Sequence, residues 1–274
     1  MEAFRLYSVM GGSPYNLSLI ESRDWRKEAL RHIHSVYGRL YEEPIFTLAS
    51  ETRDLGTYAA IMAAIASGRR SFSEIAQIVG RTSLSKYLEL LRSMGLVERI
   101  VPAGENPLRT RKARYLIADP YWDYWFKTIY PRRDEAEITG SLELDEDLAR
   151  RHMSAWFERV AGELVSRIHG AKASPWWSKA TEIDLVASTR EGAYVYEVKY
   201  SRLDSRDAGR ELGRLRAKAE ALPMPVARLG LIAVDVEGVE EDGEIWGFKD
   251  LVDYAVKKSK ISVRRLSWNA WHGV

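Results

Sequence analysis

Glu182-Ile183-Asp184-Leu185-Val186-Ala187-Ser188-Thr189-Arg190-Glu191-Gly192-Ala193-Tyr194-Val195-Tyr196-Glu197-Val198-Lys199-Tyr200 reads as two strands, 182–187 and 194–200, joined by a tight connection. Taking 189–192 as a four-residue loop pairs Ser188 with Ala193 and brings Asp184 directly opposite Glu197. Cross-strand Cβ atoms lie roughly 5 Å apart, where two carboxylates repel unless a cation sits between them. Alternation puts Lys199 on the face of Glu197, about 6.6 Å along the strand. Oxygen-only ligation of this kind suits Mg²⁺ or Mn²⁺, and the chemistry that follows is phosphodiester hydrolysis. In that reading Asp184 and Glu197 hold the metal, and Lys199 positions the attacking water or offsets developing negative charge. A one-residue bulge would spoil the register. The bland alternative is a solvated, charged hairpin.

Working outward, the residues before the hairpin predict a long helix over 145–168, with Met153, Trp156, Phe157, Val160, Leu164 and Ile168 on one face and Glu158 at its edge. After it, 205–221 predicts a helix with Arg206, Arg210, Arg214 and Lys218 at i, i+4 spacing. That face either lines a phosphate channel or is a solvated surface paired with Glu211 and Glu220. A buried strand over 228–235 and a closing helix over 248–260 follow, and the tail 263–274 mixes arginine with Trp268 and Trp271.

Toward the N-terminus, 56–67, 73–79 and 83–94 predict three helices, the second capped by Ser73, with a turn at Gly80-Arg81-Thr82. Leu84, Tyr87, Leu88 and Leu91 give the third helix an apolar face, while Ser85, Lys86, Glu89 and Arg92 point away. Strands at 96–101 and 113–118 flank a loop with Arg109, Arg111 and Lys112 at its tip. Three helices and a basic-tipped hairpin form a winged helix-turn-helix pattern, so the candidate nucleic-acid contacts are Arg81, Ser85, Lys86, Arg92, Arg109, Arg111 and Lys112. Many such modules instead bind proteins. Tyr121, Trp122, Tyr124, Trp125 and Phe126 form an aromatic run whose spacing fits core packing better than base stacking. Residues 1–51 open on a Gly11-Gly12-Ser13-Pro14 turn and carry amphipathic stretches over 22–34 and 35–50.

Composition bounds the chemistry. The 274 residues, 46% hydrophobic and 29% charged, are long enough for two cores. With no cysteine and five scattered histidines, thiolate zinc and disulfides are excluded and a metal must sit on carboxylates. The longest apolar run, 58–66, is far below the roughly 20 residues of a membrane span. With no signal-peptide pattern at the start, a cytoplasmic protein without membrane contact is expected. The missing cysteine, single glutamine and many arginines resemble thermophile usage. Net charge is +2, but residues 52–134 carry 14 Lys and Arg against 8 Asp and Glu, which concentrates phosphate affinity there. No phosphate loop of the G-x-x-x-x-G-K-[ST] type is present.

Asp184 after an apolar residue, Glu197-Val198-Lys199 one hairpin later and Glu158 on the preceding helix resemble the PD-(D/E)xK nuclease superfamily. That resemblance implies a restriction-endonuclease-like α/β fold in which Asp184 and Glu197 bind metal, Lys199 assists the nucleophile and Glu158 completes the catalytic set, with Glu163 competing for the helix role. Gly11-Gly12-Ser13-Pro14-Tyr15, the winged helix and Trp176-Trp177 followed by Glu182-Ile183-Asp184 further resemble the C-terminal half of the archaeal ATPase family carrying the DUF234 domain. In that family a P-loop domain precedes this part; this sequence departs from that pattern, as a split or truncated member would, and a separate P-loop ATPase is the partner then expected. The expected architecture is α/β multidomain: a lid-like helical segment at 1–51, a winged helix at 52–130, a linker at 131–146 and a nuclease-like domain with a mixed central sheet at 147–274. DNA binding with Mg²⁺-dependent cleavage is one function expected of it. The other is a non-catalytic DNA-binding or partner-docking module.

Overall fold

The computed structural model describes residues 1–80, 83–237 and 244–258, and divides into two compact units, 1–156 and 157 onward. Arg81 and the tail 263–274 lie outside the described residues.

The first unit is helical apart from one hairpin. It contains α1 (Glu2–Met10), α2 (Pro14–Ser18), α3 (Trp25–His32), α4 (Glu43–Glu51), α5 (Leu55–Ala66), α6 (Phe72–Val79), α7 (Ser85–Ser93), the strands β1 (Val97–Ile100) and β2 (Arg114–Ile117), α8 (Pro120–Thr128), α9 (Arg133–Thr139) and the start of α10 (Glu146–His169). Capping explains several starts: Ser13, Asp24, Asp54 and Asp119 each accept a backbone N–H of the following turn. The cap of α6 is Ser71 rather than Ser73, because Glu74 three residues on closes a reciprocal capping box with it. The aromatic run forms α8 and is core. Tyr124 and Trp125 are fully buried, Trp125 Nε1 donates to Tyr41 O at 2.7 Å, and Tyr121 Oη donates to Leu40 O at 2.5 Å. These bonds satisfy carbonyls of the irregular segment between α3 and α4, where the sequence had suggested a helix from residue 35. Ala136 of α9 and Leu142 are buried, so the stretch expected as a linker folds with this unit.

The second unit is built on a five-stranded mixed sheet of β3 (Ala173–Trp177), β4 (Glu182–Thr189), β5 (Gly192–Leu203), β6 (Val226–Val236) and β7 (Glu244–Gly247), in that spatial order. β3, β4 and β5 pair antiparallel, whereas β6 and β7 run parallel to β5. The connection from β5 to β6 is the helix α11 (Ser205–Ala219), as a parallel crossover requires. Its Ala208 and Leu212 bury against Leu231 of β6. The remainder of α10 lies on the other face, where Gly162 is so close to Leu185 that an added Cβ would stand 2.9 Å from Leu185 Cδ2. Phe157 of α10 packs 5.4 Å from Tyr200 and 4.9 Å from Phe248, at the start of α12 (Phe248–Lys258). The buried face of α10 is Phe157, Ala161, Val165 and Ile168, while Val160 and Leu164, expected on it, are half-buried. No helix among the described residues is long and apolar enough to cross a membrane.

Candidate functional site

The register that sets the site is the expected one, reached through a shorter turn. Ser188 pairs with Ala193, but Thr189 also pairs with Gly192, leaving only Arg190 and Glu191 in the bend. The ladder runs down to Leu185 opposite Tyr196 and stops one residue short of the acidic pair. At that point the Asp184 carboxylate replaces the ladder: Oδ2 accepts the backbone N–H of Val198 at 2.8 Å. Alternation then sorts the faces. Leu185 and Tyr196 point toward α10, and Glu197 with Lys199 toward α11.

On the α11 face the carboxylates and ammoniums interlock. Glu197 is buried, and its two oxygens accept from two lysines, Oε1 from Lys199 Nζ at 2.6 Å and Oε2 from Lys218 Nζ at 2.8 Å. Lys199 also stands 3.5 Å from Glu211 of α11, which in turn pairs with Arg214 at 2.7 Å. Three carboxylates thus face two ammoniums. Asp184 is the one with no ion pair among the described residues. Burial, then the charge of Glu197, push its carboxyl up to about 6. Burial would raise Glu197 too, but hydrogen bonds from Lys199 and Lys218 outweigh it and hold that carboxyl below its ordinary value. Lys199 loses solvation, yet its bond to Glu197 keeps its proton bound more firmly than usual.

The sequence pattern therefore locates Asp184, Glu197 and Lys199, which the fold gathers. Glu158 is half-buried on α10, the helix covering the opposite face, and Glu163 is exposed. Among the described residues no three His, Asp or Glu groups come together as a metal cage. Lys218 and Glu211 were missed as site residues, although the i, i+4 row containing Lys218 was visible; only the placement of α11 across β5 and β6 reveals that this row ends on Glu197. Of the four cations in that row, Arg210 pairs with Asp207 and Arg214 with Glu211.

In the first unit, Ser85, Lys86 and Arg92 are exposed on α7 and Arg109, Arg111 and Lys112 on the β1–β2 loop. Lys112 is paired with Glu105 at 2.5 Å. The loop is braced by Arg99, which donates to Pro107 O at 2.8 Å and Thr110 O at 3.2 Å, a support that the sequence did not signal. Tyr87 ties α7 back through its hydroxyl to Asp54 Oδ2 at 3.1 Å.

Residues 125–210 match the family model DUF234, described as archaea bacterial proteins of unknown function. Over that stretch the chain is similar to the DUF234 family. That match spans the end of α8, all of α10, the β3–β5 sheet region and the start of α11, so it contains Asp184, Glu197 and Lys199. A relative from Methanocaldococcus jannaschii, the uncharacterized protein MJECL04, is 29% identical over 220 residues, covering 75% of this chain. The chain spans about half the length of that relative, 49%. A crystal structure of protein VC1899 from Vibrio cholerae aligns with a TM-score of 0.29 at 13% identity, over 80% of this chain and 55% of that one; no fold assignment rests on so low a score. The resemblance to DUF234 read from the sequence is borne out.

Proposed function

We propose that this DUF234 protein binds DNA through a winged helix at 52–130 and hydrolyses phosphodiester bonds, with Mg²⁺ or Mn²⁺, at Asp184, Glu197 and Lys199 of a nuclease-like sheet. The observation that carries the reading is the unequal acidic pair. Glu197 is neutralised twice over, whereas Asp184, half-buried beside it, forms no ion pair among the described residues, and burial with the charge of Glu197 raises its proton affinity. A divalent ion there relieves the repulsion. The donor set fits such an ion, since Mg²⁺ is held by one or two carboxylates with waters and phosphate oxygens making up the rest. Asp184 and Glu197 would hold it, and it would supply Lewis-acid activation of the phosphoryl group and of water.

The chain's own groups do the remainder. Lys199, half-buried and kept protonated, holds positive charge beside Glu197, where an anionic phosphate and a departing oxygen gain from it. Lys218 adds a second ammonium on the same carboxylate and offsets the charge of a bound phosphodiester. Exposed Lys86, Arg92, Arg109 and Arg111 grip backbone phosphate without choosing sequence. A separate P-loop ATPase as a working partner is part of this reading through the family resemblance.

One observation favours a second reading, a non-catalytic DNA-binding or docking module. Both oxygens of Glu197 are already taken by ammoniums, which leaves a closed salt-bridge cluster able to act as scaffold. Titration with Mn²⁺, followed by electron paramagnetic resonance, separates the two. The first predicts one saturable site lost in Asp184→Ala; an absence of Mn²⁺ binding in the folded native protein supports the second.

A further inference from the structure

The first unit contains a hollow that neither the β4–β5 hairpin site nor the β1–β2 loop uses. It is an open hollow of about 720 Å³ among α5, α6, α8, the turn after α8 and the first turns of α10. Its floor is one face of α5, with Ala60, Ala63 and Ala64, continued by Ser67 and Gly68 of the turn that follows the helix. A helix face reduced to such small side chains leaves space where a neighbouring helix would ordinarily insert larger ones. The hollow opens to solvent at Ser67, Gly68, Ile78 and Arg151, and its volume lies in the range of small-molecule sites.

The polar groups around that floor have one sign. Arg70, Lys127 and Arg151 line the cavity together with His152, and no acidic residue does. Lys127 is committed to Asp123 at 2.6 Å. No hydrogen bond or ion pair holds the guanidinium of Arg70 or of Arg151 among the described residues. His152 is 1% exposed and both its ring nitrogens face protein groups, Nε2 bonded to Ser8 O at 2.6 Å and Nδ1 3.4 Å from Asp123 Oδ2. Two unpaired guanidiniums, of half-buried Arg70 and exposed Arg151, beside an alanine-lined hollow are complementary to one kind of molecule, an apolar body carrying a single anionic head.

We infer that this cavity is a binding site for a small amphipathic anion, its apolar body against the alanine face of α5 and its carboxylate or phosphate head held by Arg70 and Arg151. The site is independent of the nuclease reading, because every lining residue belongs to the first unit. Since α5 and α6 also belong to the proposed winged helix, occupancy bears on the element proposed to carry DNA contact.

The test is isothermal titration calorimetry of the full chain with decanoate, decyl phosphate and decanol, each below its aggregation limit. The expected result is one saturable site for at least one of the two anions, with decanol at least tenfold weaker. Whether phosphate or carboxylate binds more tightly identifies the head group. Arg70→Gln with Arg151→Gln is expected to weaken the anion at least tenfold while leaving the circular-dichroism spectrum unchanged. Ala63→Phe fills the hollow and should abolish binding; if that variant unfolds, Ala60→Leu replaces it. Decanol binding as tightly as the anions, heat that never saturates, or full affinity in the arginine double variant would overturn the inference.

Discussion

Replacing Asp184 by asparagine should stabilise the metal-free protein above neutral pH. The folded protein holds the Asp184 carboxyl at about 6 against 3.8 for the ordinary group, with burial the larger cause and Glu197 the next. An acid whose folded value is raised contributes stability that is complete below its unfolded value and lost as the pH climbs through the folded one. The relevant window therefore runs from about pH 4 to a little above 6. A shift of roughly two units is worth about 3 kcal/mol, and about 2–3 kcal/mol after allowance for partial solvent access. For folded units of this size that corresponds to about 5–10 °C in melting temperature. Asparagine keeps an oxygen for the Val198 N–H, so the backbone bond survives the change. Thermal unfolding in EDTA from pH 4 to pH 8 should give coincident curves for native and Asp184→Asn protein at the acid end and a higher transition for the variant at the alkaline end. A native protein that is the more stable of the two at pH 8, or a gap independent of pH, would refute the reasoning.

Lys218→Met should tighten Mn²⁺ binding several-fold, because it frees Glu197 Oε2 from a competing ammonium; weaker binding in a calorimetric titration would place Lys218 in support of the metal instead. Arg109→Ala and Arg111→Ala should each weaken DNA binding across unrelated sequences and reduce the salt slope by about 1, whereas Lys112→Ala, already paired with Glu105, should do less; fluorescence anisotropy at several salt concentrations checks the order. Gly230→Ala would place a Cβ 2.4 Å from the Tyr196 ring and 2.7 Å from Glu244 O, and should cost about 3 kcal/mol or more in urea unfolding.

What the sequence made legible follows from local physics. A two-residue period with a turn between the strands was enough to bring Asp184 beside Glu197, and a loop misjudged by two residues did no harm because the pairing stayed centred between Arg190 and Glu191. The α8 aromatics were readable as core because so much apolar area has to be buried. Less was readable where position depends on distant chain. β3 and β7 are short edge strands, and only their pairing with β4 and β6 defines them. Lys218 looked like one more surface cation until the crossover helix turned it onto Glu197, 21 residues back. Glu158 followed from a family pattern, and the helix that carries it covers the face of the sheet opposite the lysines. Helix α1 was missed because its apolar positions are spread over nine residues with no capping side chain.

Hydrolysis by Asp184, Glu197 and Lys199 is open to direct test. It is tested most directly by incubating labelled single- and double-stranded DNA with native protein, Asp184→Ala and Lys199→Ala in Mg²⁺, in Mn²⁺ and in EDTA. The expected result is cutting by native protein that requires the divalent ion and disappears in both variants. Intact DNA under every condition, with salt-sensitive DNA binding retained, would contradict it and leave the lysine-locked carboxylates as scaffold.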